Sequence, residues 1–298
     1  MLKGKVLVTG RYGFTGRYVA SALETAGWQV WGTCSHSTER MGPLDIVADL
    51  TDATSVRKLV NSVRPDTVVH LAGISFVNYG NINDIYKINL LGTRNLLEAL
   101  SLGGYGKAGV VLASSANVYG DSISNPISEI STPAPKNDYA VSKLAMEYVA
   151  KLFEGEMPIT IARAFNYTGV GQDQKFLVPK IVSHFRNRAS LIELGNLNIA
   201  RDYSDVRDVA EVYSRLLDVA KPWGKHVNIC SGNAISLKSI LEICQNLSGH
   251  EIEIVINPRF VRKNDLNILN GDPAALHKMI GDFSRYSFED TLRWMLSA

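Results

Sequence analysis

Lys5-Val6-Leu7-Val8-Thr9-Gly10-Arg11-Tyr12-Gly13-Phe14-Thr15-Gly16 is the stretch from which the fold can be read. Val6, Leu7 and Val8 make a short apolar, β-branched run bounded by polar residues, the pattern of a strand buried on both faces of a parallel sheet. After Gly16, Ala20, Leu23 and Ala26 recur at helical spacing, and Gly27 supplies a stop. Three glycines, three residues apart, lie between strand and helix. Such a turn lets backbone approach a pyrophosphate, whose charge meets the free N–H groups of a helix N-terminus. Gly-x-x-Gly-x-x-Gly is a looser spacing than Gly-x-Gly-x-x-Gly, but a strand before it and a helix after it give it the context of a dinucleotide site. Gly10, Arg11, Tyr12, Gly13, Phe14 and Gly16 are the expected cofactor contacts.

Outward from this loop the pattern repeats. Strands are expected at 29–34, 45–50, 67–71, 109–115 and 159–164, with helices ending near 63 and spanning 82–100 and 138–153. That alternation predicts an α/β fold, a Rossmann-type doubly wound parallel sheet. From Asn166 the rhythm changes: helical patterns at 178–188, 206–219 and 237–247 mix with short strands at 191–194, 226–229 and 253–256. The division expected is a cofactor-binding domain over 1–165 and a smaller mixed C-terminal substrate lobe over 166–298, with some later segments returning to the sheet. The cleft would lie between them.

The composition is that of an ordinary globular enzyme: 298 residues, 46% hydrophobic and 20% charged. A net charge of +2 gives no broad basic field, which argues against nucleic acid as a partner. Cys34, Cys230 and Cys244 have neither metal-ligand nor disulfide-framework spacing, so buried or incidental thiols and no metal are expected. No apolar run approaches the roughly 18 residues that span a bilayer, and the first strand begins at once; a soluble cytoplasmic protein is expected.

At the end of the second strand, about 20 residues past the glycine loop, NAD-binding folds often place an acid for the ribose 2′-hydroxyl. Here Cys34 stands there, followed by Ser35, His36 and, further on, Arg40. A carboxylate would repel a 2′-phosphate, whereas these groups tolerate one, and Arg11 is expected to reach it. NADPH is therefore the expected cofactor, with NADH the alternative. Asp49 and Leu50 would flank the adenine. Leu71, Ala72, Gly73 and Ser75 lie at the carboxyl end of the fourth strand, where open α/β sheets bind ligands. His70, on the strand itself, reads as a hydrogen-bonded core histidine.

Tyr139-Ala140-Val141-Ser142-Lys143 carries the chemistry. Of twelve tyrosines, Tyr139 alone has a lysine four residues on, which puts both side chains on one helical face. An unperturbed phenol, with pKa near 10, exchanges protons poorly at neutral pH. A neighbouring ammonium is expected to stabilise phenolate and lower that pKa, making the tyrosine a usable acid or base. Ser115 ends the preceding strand.

These motifs resemble the extended short-chain dehydrogenase/reductase family that acts on nucleotide sugars. The likeness rests on 9–16, Ala-Asp-Leu at 48–50, His-Leu-Ala-Gly at 70–73, Ile-Asn-Leu-Leu-Gly-Thr at 88–93, Ser-Ser-Ala-Asn-Val-Tyr-Gly at 114–120 and 139–143. It continues with Arg-Ala-Phe-Asn at 163–166, Arg-Asp-Tyr-Ser-Asp-Val-Arg-Asp at 201–208 and Asn-Gly-Asp-Pro at 270–273. The resemblance implies a catalytic triad of Ser115, Tyr139 and Lys143, with Lys143 also on the nicotinamide ribose. It implies Asn89 in support of the proton path, Asn166 on the sugar nucleotide and Arg201 on its diphosphate, assisted by Arg262. Ser75, Asn117 and Lys180 complete the expected substrate set. Dehydratases of the family generally carry an acid two positions after the catalytic Ser/Thr, and Asn117 cannot serve as one. The stretches 72–77, 88–97 and 269–273 look most like reductases of GDP-4-keto-6-deoxymannose. An NADPH-dependent reductase of a nucleotide-linked 4-keto-6-deoxyhexose is the expected function, and a homodimer the expected assembly. A C4 epimerase with bound NAD is the runner-up, and a regulator that binds cofactor without catalysis is the alternative from another class.

Overall fold

The computed structural model describes residues 3–77, 79–105, 109–120, 125–218, 225–260, 268–283 and 285–298. The opening stretch forms β1 (Lys5–Thr9) and α1 (Phe14–Thr25), followed by β2 (Gln29–Cys34), β3 (Asp45–Val47), α2 (Ala53–Val63) and β4 (Thr67–His70). Next come α3 (Ile82–Tyr86), α4 (Thr93–Leu102), β5 (Gly109–Ser115), α5 (Asp138–Lys151) and β6 (Ile159–Ala164). The chain continues through β7 (Asn166–Thr168), α6 (Leu177–Arg186), β8 (Leu191–Leu194), β9 (Ala200–Asp205) and α7 (Val206–Asp218). It ends with β10 (His226–Ile229), β11 (Ala234–Ser236), α8 (Leu237–Ser248), β12 (Glu253–Ile256), β13 (Ile268–Leu269), α9 (Ala274–Ile280) and α10 (Phe288–Ser297).

Seven parallel strands run β3-β2-β1-β4-β5-β6-β10, with the order reversing between β1 and β4. The apolar run of β1 explains why the sheet carries helices on both faces. Leu7 points into a core with α2, α4 and α5, while Val6 and Val8 point into a second core with α1 and α7. On α1, Val19 and Leu23 are fully buried, each contributing about 2 kcal/mol of apolar burial. The second half of the chain thus returns to the main sheet through α7, β10 and α9. Its remaining strands form a small mixed sheet of β11, β9, β13 and β7, and a parallel pair, β8 with β12. Ile181, Phe185, Leu241 and Met295 knit α6, α8 and α10 into a separate core there.

Two elements differ from the sequence reading. The strand expected at 45–50 stops at Val47, because the Asp49 carboxylate accepts the Thr51 amide and hydroxyl, both at 2.8 Å, and turns the chain toward the Asp52 N-cap of α2. The helix expected at 82–100 is interrupted by a π turn at Lys87–Gly92. Asn89 lies inside that turn, fully buried, and clasps Ile74: its Oδ1 accepts from the Ile74 amide at 2.8 Å and its Nδ2 donates to the Ile74 carbonyl at 3.0 Å. The same Nδ2 reaches Ser142 Oγ on α5 at 3.1 Å. One extra residue in the turn aims this amide, and π turns often mark functional sites.

Candidate active site

The glycine loop fits a dinucleotide. Gly10 has φ +69°, and a Cβ there would stand 2.9 Å from the backbone of Ala72. A side chain on Gly16 would run into the carbonyl oxygen of Gly10, so helix and loop touch backbone to backbone. Gly13 caps α1 with no side-chain hydrogen bond, which leaves the amides of the first turn for a ligand. Thr9 Oγ1 accepts from the amides of Leu71 and Ala72, both at 3.2 Å, and fixes the wall of the loop. Behind it runs a buried chain of defined direction. Thr93 donates to the Asn89 carbonyl at 2.7 Å, so it accepts from His70 Nε2 at 2.9 Å; His70 Nδ1 then accepts from Thr9 at 2.7 Å. His70 is thus a neutral core histidine, pushed down to about 3 by burial and by the charge of Lys143.

At the end of β2, where the sequence places the adenosine, Ser35 Oγ meets His36 Nδ1 at 2.7 Å and Cys34 Sγ reaches the His36 carbonyl at 2.9 Å. Asp49 is occupied by Thr51, and the Leu50 carbonyl by Asn95 Nδ2 at 2.9 Å. The Arg11 side chain lies elsewhere than the sequence reading placed it. It runs back across Gly32 to Glu24 at 2.7 Å, Asp45 at 3.6 Å and the Val30 carbonyl at 3.3 Å. The Tyr12 hydroxyl gives its one proton to Asp45 at 2.5 Å and lies 2.8 Å from the Arg40 carbonyl, which closes the same knot. Arg11 and Tyr12 therefore brace β2 and β3, and their polar atoms are already engaged.

At the other end, Ser115 closes β5 and Tyr139 stands in the first turn of α5, whose N-cap Asn137 accepts the Ala140 amide at 2.9 Å. Helix α5 buries Tyr139, Lys143 and Glu147 along one stripe, a polar face where an ordinary helix would bury apolar residues. Tyr139 lies close enough to Ser115 for the serine hydroxyl to draw the phenol's pKa down. Asn117 donates to Ser115 Oγ twice, from its amide at 3.2 Å and from Nδ2 at 3.0 Å. Lys143 Nζ donates to the Ala113 carbonyl at 2.9 Å. Burial decides both pKa values: Tyr139 is pushed up to about 12, with the Ser115 hydrogen bond pulling the other way, and Lys143 is pushed down to about 8, opposed by Glu147. The lowered phenol expected from the Tyr–Lys spacing is not what the geometry gives: desolvation dominates, and the Ser115 hydroxyl is what opposes it.

Of the expected substrate residues, Asn166 and Arg201 are brought onto adjoining strands, with β7 paired to β9 and Asn166 Nδ2 3.4 Å from the Asp202 carbonyl. Arg201 Nη1 donates to the Ala200 carbonyl at 2.9 Å. Lys180 Nζ is held by the Glu193 carbonyl at 2.7 Å and lies 4.6 Å over the Phe260 ring. Ser75 is exposed, and Arg262 falls outside the described residues. The 270–273 motif proves to be a stitch: buried Asp202 accepts the Gly271 amide at 3.3 Å, together with the Ser231 and Gly232 amides at 2.8 and 2.9 Å. Glu147 and Arg163, a buried ion pair at 2.6 Å, are what sequence reasoning left unremarked. The signal was available, since Glu147 is four residues beyond Lys143.

A doubly wound sheet with a glycine loop at its first crossover and Ser, Tyr and Lys gathered at its carboxyl edge defines an extended short-chain dehydrogenase/reductase. Within that class the chain belongs to the family described as GDP-mannose 4,6 dehydratase, whose profile matches residues 7–295. It is 36% identical over 284 residues to the GDP-6-deoxy-D-talose 4-dehydrogenase of Aggregatibacter actinomycetemcomitans, covering 95% of this chain and 93% of that one. It is 32% identical over 305 residues to the GDP-6-deoxy-D-mannose reductase of Pseudomonas aeruginosa, covering 98% and 96%. The solved structure of RMD from Pseudomonas aeruginosa complexed with NADPH superposes with a TM-score of 0.87 at 30% identity, covering 99% of this chain and 98% of that one. The protein is an NAD(P)-dependent oxidoreductase of the nucleotide-sugar class. Among the described residues no helix is long and apolar enough to cross a membrane.

Proposed function

We propose that the protein reduces the C4 ketone of a GDP-linked 4-keto-6-deoxyhexose with NADPH. The observation that carries this reading is the Ser115–Tyr139 hydroxyl pair, with an amide at Asn117 where a dehydrating enzyme of the family would carry an acid. Asn117 donates twice to Ser115 Oγ, so Ser115 is left with its proton to give, to Tyr139 or to a carbonyl oxygen that enters beside it. Tyr139, held as a neutral phenol by burial, is in the right form to donate a proton to the oxygen of the ketone as it is reduced. Such a phenol is matched to an alkoxide acceptor, which is itself a strong base. Lys143 is placed to hydrogen-bond the nicotinamide ribose and to stabilise the phenolate left after donation. NADPH, when bound, supplies the hydride. The glycine loop would hold its pyrophosphate; Leu71, Ala72 and Gly73 would border the nicotinamide, and Ser35 and His36 the 2′-phosphate. Arg201 and Asn166 are assigned to the sugar nucleotide, Arg201 by its charge and forked geometry. The relatives' names support a GDP-linked deoxysugar, and the NADPH complex of RMD supports the cofactor.

6-Deoxymannose and 6-deoxytalose differ in configuration at C4, so one ketone yields either according to the face that meets the cofactor. The test is loss of 340 nm absorbance from NADPH across a panel of GDP-, UDP- and dTDP-linked 4-keto-6-deoxy sugars, with product configuration read by NMR. Turnover with the GDP ketone is expected. Interconversion of C4 epimers with catalytic NAD and no net oxidation of NADPH would replace this reading with the epimerase. A homodimer is proposed as well: Leu91, Val141, Tyr148 and Leu152 expose apolar surface along the π turn and α5 and just beyond it, where relatives of this class pair. Sedimentation should show a dimer at micromolar concentration, and a monomer would count against it.

A further inference from the structure

Three consecutive residues of β5 face three residues of α5 set at successive turns of the helix, and two of the three are hydrogen-bonded to it. Ser115 faces Tyr139, the Ala113 carbonyl accepts from Lys143 at 2.9 Å, and Ser114 donates its hydroxyl to Glu147 Oε1 at 2.5 Å. Tyr139, Lys143 and Glu147 are spaced four and four, so they form one stripe facing one strand. The first two belong to the chemistry already described. Glu147 belongs to none of it, yet it is as deeply buried, with 2% exposure.

The Glu147 carboxylate is held from every side. Arg163 on β6 donates to it from Nε at 3.0 Å and Nη2 at 2.6 Å, and His226 Nε2 on β10 stands 3.4 Å away. Arg163 is fixed in turn by Tyr119, whose hydroxyl accepts at 3.1 Å and donates to Asn228 Oδ1 at 2.6 Å. A carboxylate with this many donors cannot drift, and burial leaves it no water to turn to. The groups around Lys143 are of a different kind: His70 on β4 is neutral, the Ala113 carbonyl is a dipole and Tyr139 a neutral phenol. Among the described residues Glu147 is the negative charge that acts on Lys143, and it is itself paired with Arg163.

We propose that Glu147 is a positioning residue for the reduction: its bond to Ser114 sets the register of α5 on β5, and its buried carboxylate, one turn along the same stripe, is the charge set beside Lys143. The first effect governs the approach of Tyr139 to Ser115, because Ser114 is covalently next to Ser115. The second governs how far Lys143 can support phenolate and ribose together. The turnover arm of the test rests on the reductase reading; the titration arm does not.

Three variants separate the effects. Ser114→Ala removes the clasp and no charge. Glu147→Gln removes the charge and keeps the shape. Glu147→Met with Arg163→Met removes the buried pair as a unit, a replacement that generally preserves folding. Three quantities are measured: kcat and KM with the ketone, and the midpoint of Lys143 by NMR titration of ε-13C-lysine protein without substrate, its signal assigned with Lys143→Met. Ser114→Ala should lower kcat about tenfold with KM unchanged, as a small misplacement of catalytic groups does, and leave the Lys143 midpoint where it is. Glu147→Gln should lower the midpoint from its native value by about one pH unit. The Met pair should move it in the same direction, which keeps the test alive if Glu147→Gln fails to fold. An unmoved midpoint in the folded Met pair, or native kcat per folded site in Ser114→Ala, overturns the proposal. If the native protein oxidises NADPH with none of the ketones, the reductase reading fails while the titration still decides the part of Glu147.

Discussion

The two ends of the proposed cofactor cleft are built on different plans. At the nicotinamide end Ser115, Tyr139, Lys143 and Glu147 are nearly fully buried, and their partners come from β5, β6 and β10 as well as their own helix. At the other end the side chains expected to face the adenosine are half-buried or exposed and satisfy one another within a few residues, as Cys34 and Ser35 do with His36 and Asp49 does with Thr51. A group held by several elements cannot be changed without disturbing them all. A group held by its own loop can be changed cheaply. Chemistry is therefore expected to be rigidly specified in this protein, and cofactor choice to be adjustable.

The contrast breaks first if the rigid end proves dispensable. Tyr139→Phe keeps the ring and its packing and removes one hydroxyl. It should lower kcat by about 10²–10⁴-fold, the range for general acid catalysis, while cofactor affinity by titration stays near native. Ser115→Ala should cost less, because Tyr139 remains to protonate the oxygen. The pH profile should agree: Lys143, pushed down to about 8, is an ammonium below that value and loses its proton above it, so kcat should fall as pH rises through about 8. Tyr139 stays protonated across the same window, with its own value near 12. Near-native turnover by Tyr139→Phe would sink the mechanism.

The same contrast explains what could be read from residues alone. The sheet was legible because Val6-Leu7-Val8 and its counterparts are apolar on both faces, a signature that only a two-sided layer satisfies. The triad was legible because residue type and spacing are enough to define it. The π turn at Lys87–Gly92 was not, since its cause is a clasp between Asn89 and Ile74, fifteen residues apart, that no periodicity records. Nor was the pKa of Tyr139, which depends on how much water the surrounding layers exclude. Glu147 hid in plain view: a Glu four residues after a Lys reads as a surface pair, and only burial against Arg163 changes its meaning.

The adjustable end is tested at Cys34. Among the described residues it stands at the carboxyl end of β2, half-buried, where a carboxylate would face the ribose. Cys34→Asp should shift the ratio of NADPH to NADH affinity toward NADH by about tenfold, since a like charge beside a 2′-phosphate costs roughly one pair interaction in a partly screened site. Kd values for both cofactors decide it, and an unchanged ratio would mean the 2′-phosphate lies elsewhere.

Arg11 is the finer probe, because it is the basic residue in the glycine loop and the one a charge count would assign to the phosphate. Its guanidinium is already divided among Glu24, Asp45 and the Val30 carbonyl, and reaching outward would strand Asp45, whose side chain is 2% exposed and whose Oδ1 has no hydrogen-bond partner. Leaving a buried acceptor without its cation costs about 1–3 kcal/mol, a penalty that would offset much of what a phosphate contact returns. Arg11→Ala should therefore register in stability, by about 1 kcal/mol in denaturant unfolding, and hardly at all in selectivity. The NADPH to NADH ratio should change by less than about threefold, which is under 1 kcal/mol. A tenfold loss confined to NADPH would show that Arg11 leaves its knot for the phosphate. The adenosine end would then bind its ligand through a residue drawn from several elements, and the contrast in build between the two ends of the cleft would disappear.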